Sequence, residues 1–353
     1  MIKLLHCADI HLGSPLAGLP ADMREERRRE LRATFGRMAD YASEGGFAGI
    51  LICGDAFDSD RPLKKDKEYF YNIVKLHPSL DFFYLRGNHD VGQSYTESLP
   101  NLKTFGTEWS YYTYGDVVVA GIELCESNRL SMYSTLRLNP AKTNIVMLHG
   151  QLSRGHGDED IDISKLRCRN IDYLALGHIH SFKSGRLDER GVYAYSGCPE
   201  GRGYDECGAK GFIALQAGRT VYSAFVPFAA RTVHDVCVDI STCADWLSAA
   251  RAAKSACPPS SKDMVRVTLK GEACFDCPSL AADVQKELEP HYRGVSVKDE
   301  TRRRIDLSAL AADPTLRGRF VREVMDAEGY TEPERRMIID AGLRALEGRE
   351  EEL

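Results

Sequence analysis

The sequence predicts an α/β protein whose first two thirds build layered sheets flanked by helices. Strand-like runs and helical segments alternate from the first residues to about residue 230. Several of the runs are continuously apolar, as expected for strands buried on both faces. Five short polar motifs each follow directly on an apolar run: Asp9-Ile10-His11, Gly54-Asp55, Gly87-Asn88-His89-Asp90, His149-Gly150 and Gly177-His178-Ile179-His180. In a doubly wound α/β domain, loops at the carboxyl ends of strands meet at one crevice. Five such loops carrying carboxylate, imidazole and carboxamide groups point to a single site.

Taken in order, strands are expected at Ile2–Cys7, Gly49–Cys53, Phe82–Leu85, Val117–Gly121, Ile145–Leu148 and Tyr173–Leu176. A long helix falls at Met23–Ser43, where Leu31, Phe35, Met38 and Ala42 recur every three or four positions. Pro62 marks the start of a second helix that turns Tyr69, Phe70, Ile73 and Val74 toward the core. After Gly177 come short β runs, Val192–Tyr195, Phe212–Leu215 and Val221–Val226, which imply a second sheet stacked on the first.

The texture changes near Pro227. Strands at Val236–Ile240, Met264–Leu269 and Val295–Lys298 with helices at Ala244–Lys254 and Ser279–Leu288 describe a small α/β domain of its own. Asp313-Pro314 opens a helix that Gly329 ends, and Thr331-Glu332-Pro333-Glu334 has capping-box spacing before a last helix. The expected division is 1–230, 231–305 and 306–353. Residues from Glu347 on read as an acidic tail.

At 353 residues the chain exceeds the usual single-domain size. A net charge of −6 argues against a uniformly basic nucleic-acid binder but not against local clusters of cations. Eleven scattered cysteines without a secretory signal read as reduced thiols in the cytoplasm. No apolar stretch approaches the roughly 20 residues of a membrane span. The lone Cys274-Phe275-Asp276-Cys277 lacks the second pair that a zinc site would want.

The metal-ligand candidates are Asp9, His11, Asp55, Asn88, His149, His178 and His180. Asp9 and His11, two apart, would project together from an extended backbone, and His178 with His180 would do the same. Gly54 lets the backbone approach a metal, and Asp55 is the natural bridge between the two groups. Mixed nitrogen and oxygen donors without thiolate favour Mn²⁺, Fe or Zn²⁺. Two such ions roughly 3.5–4 Å apart can clamp a phosphate and activate water near neutral pH. His89 would face substrate and protonate the departing oxygen, with Asp58 or Asp90 orienting its ring and Asp58 better placed. Any one motif alone is ordinary surface or capping chemistry; their joint order is what carries the reading. His6, His77, His234 and His291 have no partner motif, and His156 lies in a polar stretch open to a substrate-loop role.

This motif order resembles the calcineurin-like metallophosphoesterase superfamily. Cys7-Ala8-Asp9-Ile10-His11-Leu12-Gly13-Ser14 and Gly54-Asp55-Ala56-Phe57-Asp58 with Arg61-Pro62 are similar to the SbcD-type DNA repair exonucleases. Tyr195-Ser196-Gly197-Cys198-Pro199-Glu200-Gly201-Arg202-Gly203-Tyr204-Asp205-Glu206, then Gly208-Ala209-Lys210-Gly211-Phe212, resembles their YhaO-like branch, except that Gly203 stands where a histidine is expected. The resemblance, strong over residues 1 to about 226, implies a four-layer β-sandwich flanked by helices, to which the later residues add a small α/β capping domain and C-terminal helices. It implies two Mn²⁺ ions, one held by Asp9, His11, Asp55 and His180, the other by Asp55, Asn88, His149 and His178. It also implies DNA phosphodiester hydrolysis with His89 catalytic and Asp58 its partner, docking of an SbcC-like ATPase on the C-terminal helices, and a homodimer.

Support for DNA from the residues themselves is local. Arg61, Lys64 and Lys65 border the crevice. Arg27–Arg29, interleaved with glutamates, stand open between a solvated helix face and a DNA contact; Lys165, Arg167 and Arg169, and Arg302–Arg304, are further clusters. Met337, Ile338, Leu343 and Leu346 spread around the last helix and fit either a partner or this chain's own small domain. Two rivals share the site: a phosphoesterase acting on phosphoproteins, cyclic nucleotides or other small phosphate esters, and a DNA-end scaffold with a vestigial centre, against which the complete ligand set argues.

Overall fold

The computed structural model describes residues 1–90, 97–153, 160–259, 262–304 and 307–346. His156 and the tail from residue 347 fall outside them. The chain forms two compact units, the first made of Met1–Asp235, Pro259–Arg266 and Tyr292–Gly294, the second of Val236–Pro258, Val267–His291 and Val295–Leu353.

In the first unit β1 (Ile2–Cys7), α1 (Ala21–Glu44), β2 (Gly49–Cys53), α2 (Lys64–Leu76), β3 (Asp81–Leu85) and β4 (Leu102–Thr104) alternate strand with helix. Next come β5 (Ser110–Tyr114), β6 (Val117–Gly121), α3 (Met132–Thr135), β7 (Thr143–His149), β8 (Gln151–Ser153), β9 (Asp160–Asp162), α4 (Ile163–Leu166) and β10 (Tyr173–Gly177). β11 (Lys183–Arg186), β12 (Val192–Tyr195), β13 (Gly211–Ala217) and β14 (Val221–Pro227) follow.

Two six-stranded mixed sheets result, ordered β14-β13-β1-β2-β3-β4 and β11-β12-β10-β7-β6-β5. β1 to β4 are parallel, as are β6, β7, β10 and β12. Antiparallel strands fill the flanks. The runs after Gly177 therefore do not form the second sheet by themselves. β13 returns to the free edge of β1 and extends the first sheet, while the second begins at β5 and β6. A strand's hydrophobic pattern reports burial, not which edge it joins.

Alternation along the strands builds the layers. Leu4, Leu51 and Phe83 of the first sheet meet Ile145, Met147, Tyr173 and Ala175 of the second. On the opposite face Leu5, Ile50, Ile52 and Phe82 pack on Phe35, Met38 and Ala42 of α1 and Phe70, Ile73 and Val74 of α2. Val146, Leu148, Leu174 and Leu176 lie under Met132 and Tyr133 of α3 and Leu166 of α4. Helices, sheet, sheet, helices is the four-layer order expected. The stripe Leu31, Phe35, Met38 and Ala42 is wholly buried inside the chain, so it is core.

Onward, the elements are β15 (Val233–Asp239), α5 (Trp246–Ala256), β16 (Met264–Lys270), β17 (Glu272–Ala273), α6 (Leu280–Leu288), β18 (Gly294–Asp299) and β19 (Arg302–Arg303). β15, β16 and β18 form a three-stranded sheet. Asp245 caps α5 by accepting from Ser248 N at 2.7 Å, while the Ser248 side chain reaches back to Asp245 N. Three helices follow: α7 (Leu307–Ala312), which the sequence did not announce, α8 (Leu316–Asp326) and α9 (Glu332–Leu346). Glu334 accepts from Thr331 N at 2.7 Å, the returning half of the expected capping box. Val321, Ile339 and Leu343 close a small core between these helices. The second unit holds the C-terminal helices and most of the small α/β region, whose residues 233–235, 259–266 and 292–294 belong to the first. Among the described residues, no helix is long and apolar enough to cross a membrane.

Candidate metal centre

Register delivers the motifs to one place. Cys7 pairs with Ile52 and Cys53 with Leu85, so β1, β2 and β3 end side by side, and Asp9, Asp55 and Asn88 follow within three residues. In the other sheet His149 ends β7 opposite Gly177, the last residue of β10, and His178 and His180 come next. The backbone is not extended here as the sequence suggested. Asp9, His11, Asp55 and His178 all take positive φ, at 54°, 50°, 52° and 99°. Left-handed turns at non-glycine residues cost roughly 1–3 kcal/mol each and concentrate where function over-determines them. Asp9 N and His11 N bond to Gly54 O and Asp55 O, both at 3.0 Å, and hold the two turns together.

Gly54 was expected to make room for a metal. Instead it makes room for a ligand: a Cβ there would sit 2.0 Å from His149 Nδ1. The imidazole is pressed against the backbone of the Asp55 loop, and its Nδ1 bonds to Cys53 O at 2.8 Å.

All seven expected donors meet. His11 Nε2 faces His180 Nε2 at 3.2 Å, and His180 Nε2 is 3.8 Å from Asp9 Oδ1. His149 Nε2 is 2.8 Å from Asn88 Oδ1, which is 3.4 Å from His178 Nδ1. Asp55 Oδ2 lies between the groups, 3.9 Å from His11 Nε2 and 3.4 Å from His149 Nε2. Asp9, His11 and His180, and likewise Asp9, Asp55 and His149, place one ligand atom each within 4.8 Å of the others.

The donor chemistry fits cations. His180 Nδ1 contacts Glu206 Oε1 at 2.7 Å, so that nitrogen carries the proton, while His11 Nδ1 lies 2.8 Å from Asp58 Oδ1 without closing a hydrogen bond. His180 Nε2 then aims a lone pair at His11 Nε2. His149, donating through Nδ1 to Cys53 O, turns its Nε2 toward the Asn88 and Asp55 oxygens. Such an arrangement of acceptors is repulsive unless a positive charge sits among them. Burial raises the Asp9 carboxyl against the pull of the three histidines, and it lowers His11 despite the Asp58 contact. Burial also raises Asp55, but His149 outweighs it and the carboxyl falls to about 2. Burial disfavours a charged His149, yet Asp55 holds it at about 9, so a proton stands where a cation would.

His89 sits exposed at the rim. Its ring meets His11 edge-on at 5.0 Å between centroids, and its backbone N–H donates to Asp55 Oδ1 at 2.9 Å. Asp58 shares a 4.8 Å cluster with His11 and His89. Its close contacts, however, are His11 and Arg202 Nη1, the latter at 2.7 Å. Asp90 does not orient His89. It is fully buried, accepting from Gly87 N at 2.5 Å, Ala56 N at 2.9 Å and Tyr84 Oη at 2.6 Å, so it ties the Asn88 loop to the Asp55 loop. Burial lifts its pKa to about 6 despite those donors.

Sequence reasoning assigned no role to Arg202 or Glu206, although both stand in the YhaO-like stretch. An arginine after a glycine, with an acid four residues on, was the available signal. Arg61, Lys64 and Lys65 are exposed, with side-chain neighbours Asp60 and Glu68 for the first two. Arg27 is neither solvated nor open to DNA: it is 1% exposed and bonds Glu30, Glu200 and Gly201 O. All eleven cysteines are free thiols, and no cysteine joins a ligand cluster among the described residues.

Two stacked mixed sheets with nitrogen and oxygen ligands at adjoining strand ends define a metal-dependent phosphoesterase. The family profile "Calcineurin-like phosphoesterase" matches residues 2–182, just over half the chain. The chain belongs to that family. It is distantly homologous to a DNA double-strand break repair protein Mre11 from Sulfurisphaera tokodaii, 25% identical over 98% of this chain and 94% of that one. It is also similar to an uncharacterized metallophosphoesterase YhaO from Bacillus subtilis, 27% identical over 67% of this chain and 61% of that protein's length. A dimetal phosphatase structure from Danio rerio is similar at 9% identity over 65% of this chain and 99% of that one, with a TM-score of 0.42.

Proposed function

We propose that this chain is a metal-dependent DNA phosphodiesterase, exonuclease or endonuclease, that processes DNA ends or double-strand breaks with an SbcC-like ATPase. One observation carries the reading: clusters of candidate metal ligands lie in a chain whose likeness to a double-strand break repair protein extends over 98% of its length, far past residue 182.

Two divalent cations, Mn²⁺ by family and Fe or Zn²⁺ by donor type, would supply a clamp on the phosphate and a water of lowered pKa. Asp9, His11, Asp55 and His180 would hold one, and Asp55, Asn88, His149 and His178 the other. His89, exposed beside the cluster, gives the departing oxygen its proton as water's oxygen bonds to phosphorus and the P–O ester bond breaks. Asp58 acts on His11 and Arg202 at closer range than on His89. Arg61, Lys64 and Lys65 would draw the DNA backbone. Lys64 and Lys65 begin α2, where the helix dipole disfavours cations, and a bound phosphate there would reverse that cost. Leu316, Met325, Met337 and Leu346 remain exposed on α8 and α9 and offer apolar anchors to the ATPase.

The test is digestion of linear duplex DNA by the Mn²⁺-loaded protein with its cognate ATPase, beside bis-p-nitrophenyl phosphate, cyclic nucleotides and a phosphopeptide. DNA cleavage that outpaces the small esters supports the reading. Rapid turnover of a small ester or phosphopeptide with intact DNA assigns the chain to the rival phosphoesterase class.

A further inference from the structure

Both imidazoles on the Asp9 side of the centre are backed by carboxylates, and one guanidinium holds both carboxylates. His180 Nδ1 meets Glu206 Oε1 at 2.7 Å, and His11 Nδ1 lies 2.8 Å from Asp58 Oδ1. Arg202 Nη1 donates to Asp58 Oδ1 at 2.7 Å, while its Nη2 and Nε donate to Glu206 Oε1 at 2.8 and 3.0 Å. The Arg202 backbone N–H closes on Glu206 Oε2 at 2.7 Å, so the acid is gripped from both of its oxygens. Arg202 Nη2 also lies 3.1 Å from His180 Nδ1, but the acceptor-only carboxylate is what takes that nitrogen's proton. The same segment pins the main chain of the ligand: Lys210 Nζ donates to His180 O at 2.6 Å and Cys198 Sγ approaches it at 3.4 Å. Glu206 and Lys210 are buried, at 7% and 3% exposure.

The other side of the centre is built differently. His149 Nδ1 is backed by a backbone carbonyl, Cys53 O, and Asn88 is a neutral ligand exposed at the surface. A carboxylate behind an imidazole fixes its tautomer, fixes its plane and makes the opposite nitrogen a stronger donor. A carbonyl does the first two with less charge.

We propose that Glu206 and Arg202 are positioning residues for the metal position of Asp9, His11 and His180, and that through them this position binds its ion more tightly than the position of Asn88, His149 and His178. The proposal rests on the two-metal reading of the centre. Glu206 aims the His180 lone pair, and Arg202 keeps the two carboxylates, which would otherwise repel, facing the two rings.

Mn²⁺ titration calorimetry with metal content by mass spectrometry tests this on the full chain and on Glu206→Gln and Arg202→Lys. Wild type is expected to take two ions in separate steps. In E206Q the tighter step should weaken about 10- to 100-fold, the usual effect of removing a ligand's carboxylate partner, while the weaker step moves less than twofold and thermal unfolding shows a folded protein. R202K should shift the same step by a smaller factor. If E206Q does not fold, R202K decides the matter by the same criterion. Equal weakening of both steps, or of neither, in protein that still binds two ions overturns the proposal. Wild type that binds fewer than two ions overturns the two-metal reading beneath it.

Discussion

His11 and His180, 169 residues apart in sequence, bring their Nε2 atoms to 3.2 Å with both Nδ1 atoms turned to carboxylates. Glu206 takes the His180 Nδ1 proton, so a lone pair on His180 Nε2 faces His11 within a cluster of donor atoms that a divalent cation stabilises. Metal should therefore stabilise the fold. At 100 times Kd a ligand adds about 2.7 kcal/mol, and for a unit of this size each kcal/mol moves Tm by about 2–4 °C. Chelator-stripped protein titrated with Mn²⁺ in a thermal melt should gain several degrees. A Tm indifferent to Mn²⁺ at millimolar concentration would count against the centre.

His89 and Asp55 should fail in different ways. His89→Ala removes a proton donor at the rim, so phosphodiesterase turnover should fall about 10²- to 10⁴-fold while metal content stays at the wild-type level. Asp55→Ala removes the oxygen between the two donor groups, so both metal content and turnover should collapse. Unchanged turnover in both variants would fit a vestigial centre.

Gly54→Ala should be damaging for a local, steric reason. Its new methyl would meet His149 Nδ1 at 2.0 Å on a backbone at φ +89°, so the ring must move and a ligand is lost. The expected cost is about 2–4 kcal/mol of stability, from overpacking and left-handed strain together, with loss of bound metal. Gly46→Ala is the control: φ is +66° but the space is open, so only the backbone cost of about 1 kcal/mol applies. Equal losses in the two variants would show that crowding at His149 is not the cause.

His6 ties the two sheets together, its Nδ1 2.9 Å from Tyr173 Oη and its Nε2 3.2 Å from Leu176 O. Complete burial lowers its pKa from 6.5 to about 3, with the carbonyl contact opposing. Between those values the unfolded chain binds a proton that the folded chain refuses, so stability is intact above pH 6.5 and drains as pH falls toward 3. The slope from this group is about 1.4 kcal/mol per pH unit. Urea unfolding of wild type and His6→Asn at pH 7 and pH 4.5 should show wild type losing about 2–3 kcal/mol more across the interval. Parallel losses would remove His6 from the account.

The sequence by itself determined the alternation of strand and helix in the first unit, the order of the five motifs and the chemical types of the seven donors. Those are local properties: a run of apolar residues announces a buried strand, and the residues just past its end inherit the strand's position at the sheet edge. Only the tertiary structure decided that β13 returns to β1, that the donor loops turn through positive φ, that Asp58 turns to His11 and Arg202, and that Arg27 lies inside rather than on a solvated face. Each of these depends on a partner far along the chain, as when Arg202 crosses 144 residues to reach Asp58. Hydrophobic periodicity records which face of an element is buried, but the identity of the group packed there is set when the layers close.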